Sequence, residues 1–334
     1  MKKYNSFIHR KFNHFIDDNN VFTENNSILA AISGGQDSIC LLKLLKDYNR
    51  QQKKIAIHVI HFDHGWRSDS SKNAAFLKKI VNRWKLTFHY KKSNFILSEE
   101  DARLWRYSTM KTICEELEIK YIVTGHTYND RLETIFFNII KGSGFEGVQA
   151  IQPHIQISNK INLIHPLLNT TREETLWFCR KFFLPIWSDT TNYNQNITRN
   201  RIREELIPYC KQYFNLNLEG SLFRFIENVN CDLDYLQERT YYLYYRYKHP
   251  KYIGINRTAF STLSYSMKKR LIRVFIYHNT NIKLNFLDTQ KYVSFIGYKK
   301  VQVIQLSLIW YLCISNKWIY LLSDQAKKHN PNRL

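Results

Sequence analysis

Apolar residues recur at three- and four-residue spacing through Tyr4, Phe7, Ile8, Phe12, Phe15 and Ile16, which predicts an opening amphipathic helix. Short apolar runs at 27–32, 55–62, 86–90, 121–124 and 162–165 then read as strands. Helical spacing fills 38–48, 73–84, 99–117, 130–140 and 171–183. Alternating β and α segments with short connections predict an α/β fold, a parallel sheet covered on both faces. Ligands in such sheets bind beyond the carboxyl ends of the strands. Four polar clusters fall there: 33–38, 61–67, 125–133 and the stretch after His165.

Near residue 217 the pattern changes. Leu222, Phe225, Ile226, Val229, Leu233 and Leu236 keep helical spacing, and Tyr241, Tyr242, Tyr244, Tyr245 and Tyr247 follow, interleaved with Arg246 and Lys248. Helical spacing returns at 267–277 and 286–295, and strand-like runs at 301–306 and 318–322 come last. The expected division is a catalytic domain over 1–215, a smaller, mainly helical domain over 216–324 and a polar tail over 325–334. Aromatics interleaved with cations suit stacking on unpaired bases, but they equally suit a buried helix contact. About two thirds of these tyrosines are expected in the core.

Composition narrows the class. Hydrophobic residues make up 44% of 334, enough for a sizeable core. No run reaches the ~18 apolar residues of a membrane span. The cysteines at 40, 114, 179, 210, 231 and 313 are scattered and form no CxxC, which excludes a disulfide framework. The basic first helix runs straight into Asp17 and Asp18 with no small-residue cleavage site, so it reads as fold, not targeting peptide.

The net charge of +21 divides unevenly, +8 over 1–100, +1 over 101–200 and +12 over 201–334. Such an excess favours a polyanion, nucleic acid first and an anionic membrane second. Enrichment in Asn, Lys, Ile, Tyr and Phe beside only 10 Gly and 6 Pro is also what an AT-biased genome produces.

The most specific chemistry is Ser33-Gly34-Gly35-Gln36-Asp37-Ser38, between a strand and a helix. Paired glycines let backbone approach an anion, the serines add hydroxyls, and the helix N-terminus adds N–H groups and a positive dipole end. This is a phosphate cradle but not a Walker loop. Asp130 and Glu133 lie three apart and share a helix face, beside Gly125-His126 at a strand end. His61 and His64, with Asp63 between them, suggest a metal site, but H-x-x-H spacing at a strand end presents the two rings poorly for one zinc ion.

The hexapeptide resembles the SGGxDS signature of the PP-loop ATP pyrophosphatases. Further segments resemble one family within them, the tRNA(Ile)-lysidine synthases. They are His61-Phe62-Asp63-His64-Gly65-Trp66-Arg67, the Glu99, Ala102, Arg103, Arg106 and Tyr107 helix, and the run from Thr124 to Thr134. Lys141-Gly142-Ser143-Gly144 with Gly147 continues the series. His165-Pro166-Leu167-Leu168 with Arg172 and Glu173 follows, then Asp189 and Asn192, then Arg199-Asn200 with Ile202-Arg203. Together they cover about residues 27–210 in the family's order. Thr127, Thr191 and His165 depart from the usual His, Ser and Arg, and many bacterial members continue into a further C-terminal domain, which is not expected within these 334 residues.

The resemblance implies a Rossmann-like PP-loop domain, adenine nucleotide alpha hydrolase-like, with ATP and Mg²⁺ as cofactors. It implies ligation of L-lysine to C2 of the wobble cytidine of a tRNA(Ile) with a CAU anticodon. The cytidine is adenylated with loss of pyrophosphate, and lysine then displaces AMP. Residues 33–38 would cradle ATP, Asp37 would take Mg²⁺, and Asp37, His126, Asp130 and Glu133 would carry the chemistry. Arg103, Arg106, Arg199 and Arg203 would meet phosphates of ATP or tRNA, and the domain over 216–324 would contact the tRNA, with the basic cluster Lys268, Lys269, Arg270 and Arg273 a better candidate there than the tyrosines. No membrane contact is expected, and a homodimer is one assembly the resemblance allows. The compartment expected is the plastid stroma, with a plastid gene, and the bacterial cytoplasm is the alternative. Competing functions are a tRNA thiolase, which would rely on paired or clustered cysteines, whereas Cys40 and Cys179 sit within apolar helical spacing, and a non-catalytic RNA-binding protein, which the intact loop with Asp130 and Glu133 disfavours.

Overall fold

The computed structural model describes residues 6–22, 27–51, 55–65, 69–93, 98–149, 151–187, 198–298 and 301–324. They divide into two compact units at Ile226 and Glu227.

The first unit is built on a six-stranded sheet of order β3-β2-β1-β4-β6-β5. These strands are β1 (Ser27–Ala31), β2 (Ala56–Asp63), β3 (Thr87–Lys92), β4 (Tyr121–Thr124), β5 (His154–Gln156) and β6 (Asn162–Ile164). All neighbours pair in parallel except β5, which runs antiparallel to β6 at the edge. The chain steps outward from β1 to β2 to β3, then crosses back to place β4 on the other side of β1. The strand order therefore reverses between β1 and β4, the topological switch point where such sheets bind ligands.

Alternation along the strands explains why both faces are covered. Ile28 and Ala30 of β1 point into one core, together with Ile8 and Phe12 of α1 (Phe7–Asp18), Leu41 and Leu45 of α2 (Gln36–Gln51), and Leu77 of α3 (Ser70–Arg83). Leu29, between them, joins the opposite core with Met110, Ile113 and Cys114 of α4 (Glu99–Glu116). Each fully buried aliphatic side chain of this kind stabilises the fold by about 1.5–3 kcal/mol.

Four helical segments complete the order to residue 201: α5 (Tyr128–Ile140), α6 (Phe145–Val148), α7 (Arg172–Lys181) and α8 (Thr198–Arg201). A π-helical turn, Ile202–Leu206, leads into α9 (Ile207–Tyr213), and α10 (Leu218–Tyr247) follows. The sequence reading located every parallel strand and its following helix to within a few residues. It did not anticipate β5, an edge strand whose His154 and Gln156 are polar and exposed, so that Ile155 alone forms no apolar run.

In the second unit, α11 (Arg257–Ser261), α12 (Tyr265–Thr280) and α13 (Phe286–Gly297) accompany an antiparallel sheet of order β7-β10-β9-β8. Its strands are β7 (Gly254–Asn256), β8 (Gln302–Gln305), β9 (Trp310–Ile314) and β10 (Trp318–Ser323). Two of these, β7 and β9, were not expected. Buried Arg257 ties the unit together by donating to the carbonyls of Ile296, Tyr298 and Ser315. The tyrosine expectation needs correction: only Tyr244 is fully buried, at 1% exposure, while Tyr241, Tyr242 and Tyr245 are exposed and Tyr247 is half-buried. A helix of this kind turns one stripe inward, here Leu233, Thr240, Leu243 and Tyr244, so four tyrosines within five residues cannot share it. Among the described residues no helix is long and apolar enough to cross a membrane.

Candidate active site

The loop at 33–38 leaves β1 at the switch point and opens α2, with Asp37 in the first helical turn. Its shape is held internally. Ser38 Oγ donates to the Gly35 carbonyl at 2.8 Å and accepts from the Gly34 N–H at 3.1 Å, while Ser33 Oγ lies 3.2 Å from Ser38 Oγ. Gly34 sits at φ +98°, and a Cβ there would come within 2.7 Å of Asn73 Oδ1, so only glycine fits. Asn73 Nδ2 donates to the Ser33 carbonyl, and the Trp187 N–H to that of Gly34. Gly125, just past β4, meets the same loop. A Cβ on it would stand 3.2 Å from the Asp37 backbone and from Ser38 Cα.

Asp37, Asp130 and Glu133 come together, and Arg172 is what joins them. Its Nη2 donates to Asp130 Oδ1 at 2.6 Å, its Nη1 to Glu133 Oε1 at 3.0 Å, and its Nε reaches Asp37 Oδ2 at 3.4 Å. Arg203, on the π-helical turn, closes on Glu133 with Nε at 2.7 Å from Oε1 and Nη2 at 2.9 Å from Oε2. That two-point pair engages Arg203 otherwise than in the phosphate contact expected of it. Asp130 Oδ2 also accepts from the Thr127 N–H at 2.7 Å and hydroxyl at 2.9 Å, which caps α5. The Thr127 that departs from the family pattern thus serves as the helix N-cap. The Thr175 hydroxyl of α7 donates to Asp37.

Charge balance follows from these contacts. Burial raises the Asp37 carboxyl above its ordinary value, against the pull of Thr175 and Arg172. Burial acts the same way on Asp130, but Arg172 and the Thr127 donors outweigh it and hold that carboxyl low. Burial works against the charge of Arg172, and the carboxylates of Asp130, Glu133 and Asp37 overcome it. His126 Nδ1 lies 2.7 Å from the Thr124 hydroxyl, and its ring packs edge-on against His165 at 4.9 Å. Burial, reinforced by Arg106, Arg103 and Arg199, pushes the His126 imidazole down. His165, beyond β6, is pushed down to about 3 by burial and the neighbouring His126. His165 Nδ1 lies 2.7 Å from the Gln152 carbonyl, and its buried Nε2 has no hydrogen-bond partner among the described residues. Both imidazoles are neutral near pH 7, in a region that Arg103, Arg106 and Arg199 reach electrostatically.

The remaining expectations divide simply. Arg103 packs over Tyr107 and Arg199 over Phe137. His61 Nδ1 lies 2.9 Å from the Ile32 carbonyl, and Asp63 Oδ2 accepts from the Tyr90 hydroxyl, so each has a local task. Among the described residues no cluster of three or more His, Cys, Asp or Glu could hold a metal. One hard carboxylate beside a phosphate cradle does suit Mg²⁺, which takes most of its ligands from phosphate and water. Cys40 and Cys179 are buried, and burial with the adjacent Cys179 raises the Cys40 thiol well above its ordinary value, away from the reactive thiolate. Trp66, Arg67, Asp189, Thr191 and Asn192 lie outside the described residues. Arg172 and Thr175 were missed as site residues. The place of Arg172 in the family-like segment that follows His165-Pro166-Leu167-Leu168 was the available signal.

Comparison with known proteins agrees with the fold. The model of the PP-loop domain family matches residues 4–210. A relative from Pyropia yezoensis, the chloroplastic tRNA(Ile)-lysidine synthase, is 35% identical over 95% of this chain and 96% of its own length. The chloroplastic one of Gracilaria tenuistipitata is 33% identical over 95% and 99%. The tRNA(Ile)-lysidine synthase of a Nostoc species is 40% identical over 70% and 68%. Among solved structures, the U34-tRNA thiolase of Methanococcus maripaludis superposes with a TM-score of 0.57 at 16% identity, covering 68% of this chain and 78% of that one, a likeness of fold alone. With a phosphate loop at the switch point, three carboxylates gathered beside it and relatives matched along nearly their whole length, the chain belongs to the tRNA(Ile)-lysidine synthase family of PP-loop ligases.

Proposed function

We propose that this chain joins L-lysine to C2 of the wobble cytidine of a CAU-anticodon tRNA(Ile), in a plastid, using ATP. The observation that carries the reading is the meeting of Asp37, Asp130 and Glu133 on Arg172 beside the phosphate loop. Loop N–H groups and the first turn of α2 bind the ATP phosphates. Asp37 holds Mg²⁺, which supplies charge neutralisation on the phosphates when bound. The cytidine O2 attacks the α-phosphorus and pyrophosphate leaves.

In the second half the amine attacks C2, the C–O bond breaks and AMP departs. Asp130 stays ionised at neutral pH, so it suits holding the lysine cation better than taking its proton. The neutral imidazole of His126 accepts the proton that the attacking nitrogen sheds. Glu133 keeps Arg172 and Arg203 in register. The change of base pairing from G to A follows from lysine at C2.

The test follows each half-reaction. Pyrophosphate release should need CAU-anticodon tRNA, while AMP release and multiple turnover should need lysine as well. Asp37→Asn should abolish Mg²⁺-dependent pyrophosphate release. Sustained turnover without lysine would refute the ligase reading. The thiolase alternative would instead respond to replacement of cysteines, and Cys40, Cys114, Cys179 and Cys313 are buried.

A further inference from the structure

The second unit carries a ladder of aromatic and cationic side chains along one exposed face of α10. Tyr235, Arg239, Tyr242 and Arg246 follow one another at spacings of four, three and four residues, so they line one stripe about 16 Å long. All four are exposed, Tyr235 at 65% and Tyr242 at 49%, and Tyr245 flanks them at 61%. The Arg239 guanidinium lies 5.0 Å from the centre of the Tyr242 ring, and that of Arg246 lies 5.9 Å from the same ring. Arg246 Nη1 also donates to the Tyr242 hydroxyl at 3.2 Å.

An arginine that served the helix alone would sit four residues from a carboxylate. Here each arginine has a tyrosine at that place, and among the described residues neither pairs with an acid. Tyr242 therefore braces two guanidiniums and leaves most of their N–H donors open. The unit around them holds 17 Lys and Arg against 6 Asp and Glu over residues 227–334, a net charge of +11. Exposed aromatics are an inefficient way to keep a surface soluble, whereas a braced cation beside a flat ring is how single-stranded nucleic acid is held.

We propose that this face of α10 is an RNA-docking surface. Arg239 and Arg246 contact backbone phosphates, and Tyr235 and Tyr245 stack on unpaired nucleotides. The partner is the tRNA substrate, so the assignment rests on the function proposed above. It goes further in naming where a second grip outside the catalytic centre lies.

The experiment measures binding of unmodified CAU-anticodon tRNA to the full chain across a salt series. Arg239→Gln/Arg246→Gln should weaken binding and lower the slope of log K against log salt by about 2, one for each phosphate that is no longer neutralised. Tyr235→Leu/Tyr245→Leu should weaken binding about tenfold with the salt slope unchanged. Under steady state both variants should raise KM for tRNA and spare kcat, and Arg239→Lys/Arg246→Lys should restore the slope. A photoreactive residue at 235 should cross-link to the RNA. Unchanged affinity and slope would overturn the proposal, as would a variant that turns a dimer into a monomer while binding tRNA normally. A chain that binds tRNA through this face yet releases no pyrophosphate would instead refute the catalytic reading, so the two failures are distinguishable.

Discussion

Arg172→Gln is the perturbation that separates a shared guanidinium from three independent carboxylates. Arg172 spans Asp130 at 2.6 Å, Glu133 at 3.0 Å and Asp37 at 3.4 Å. Breaking a buried charge pair by removing one partner costs about 3–5 kcal/mol. Glu133 keeps its two-point pair with Arg203, and Asp130 keeps both Thr127 donors, which moves the expectation to the lower end, about 3 kcal/mol. For a unit of this size that is a fall of roughly 6–12 °C in the melting of the first unit. Glutamine removes the charge while keeping a donor. Arg172→Lys keeps the charge, but one ammonium cannot reach three carboxylates in a plane, so it should lose about half as much.

Scanning calorimetry of ligand-free protein at pH 7 measures the loss, with circular dichroism to establish that both variants fold. A pH series gives the sign. The depressed Asp130 carboxyl contributes stability at pH above its ordinary value of about 3.9, and that contribution is lost as pH falls through the lower folded value. The deficit of Arg172→Gln should therefore shrink as the medium turns acid enough to neutralise the carboxylates. A variant within about 1 kcal/mol of the native protein at pH 7, or a deficit that grows below pH 4, would refute the shared-guanidinium account.

Three other outcomes follow from the same geometry. His165, pushed down to about 3 where the unfolded side chain titrates near 6.5, opposes folding increasingly as pH falls below 6.5; denaturant melts should lose about 1–2 kcal/mol between pH 7 and pH 5, and His165→Gln should flatten that slope. Gly125→Ala should raise KM for ATP on the order of tenfold, because its Cβ would press the Asp37 and Ser38 backbone at 3.2 Å, and an unchanged KM would show that the loop has room to give. A double-mutant cycle of Glu133→Gln with Arg203→Gln should give a coupling of about 1–3 kcal/mol in urea melts, and additive losses would remove the ion pair from the account.

The parallel sheet was legible because each strand and helix carries its own period. Ile28, Leu29 and Ala30 announce a strand buried on both sides, and Ile39 to Leu45 announce the helix after it. The phosphate loop was legible for the same local reason, since its glycines, serines and aspartate are consecutive. Arg172 was not, because its meaning arises only when α7 returns to the switch point and brings it to carboxylates 39 to 135 residues away. The tyrosines of α10 misled because core and surface aromatics look alike until the inward stripe is known. The π-helical turn that aims Arg203 at Glu133 leaves no periodic trace over its five residues.

The ties between the phosphate loop and α7 also bear on the order in which the protein can become competent. Gln36 Nε2 donates to the Arg172 carbonyl at 3.0 Å and to the Thr175 hydroxyl at 3.1 Å, Cys179 Sγ donates to the Gln36 carbonyl at 3.4 Å, and the Gly34 carbonyl accepts from Trp187. The loop near the start of the chain is thus clamped by residues synthesised about 140 positions later. Contacts so far apart in sequence form late, after the loop-closure entropy between them has been overcome. On the ribosome, β1 and α2 emerge early, yet the nucleotide cradle stays incomplete until the chain has passed Trp187 and that segment has cleared the exit tunnel. Nucleotide capture is thereby reserved for a chain whose entire sheet has been made.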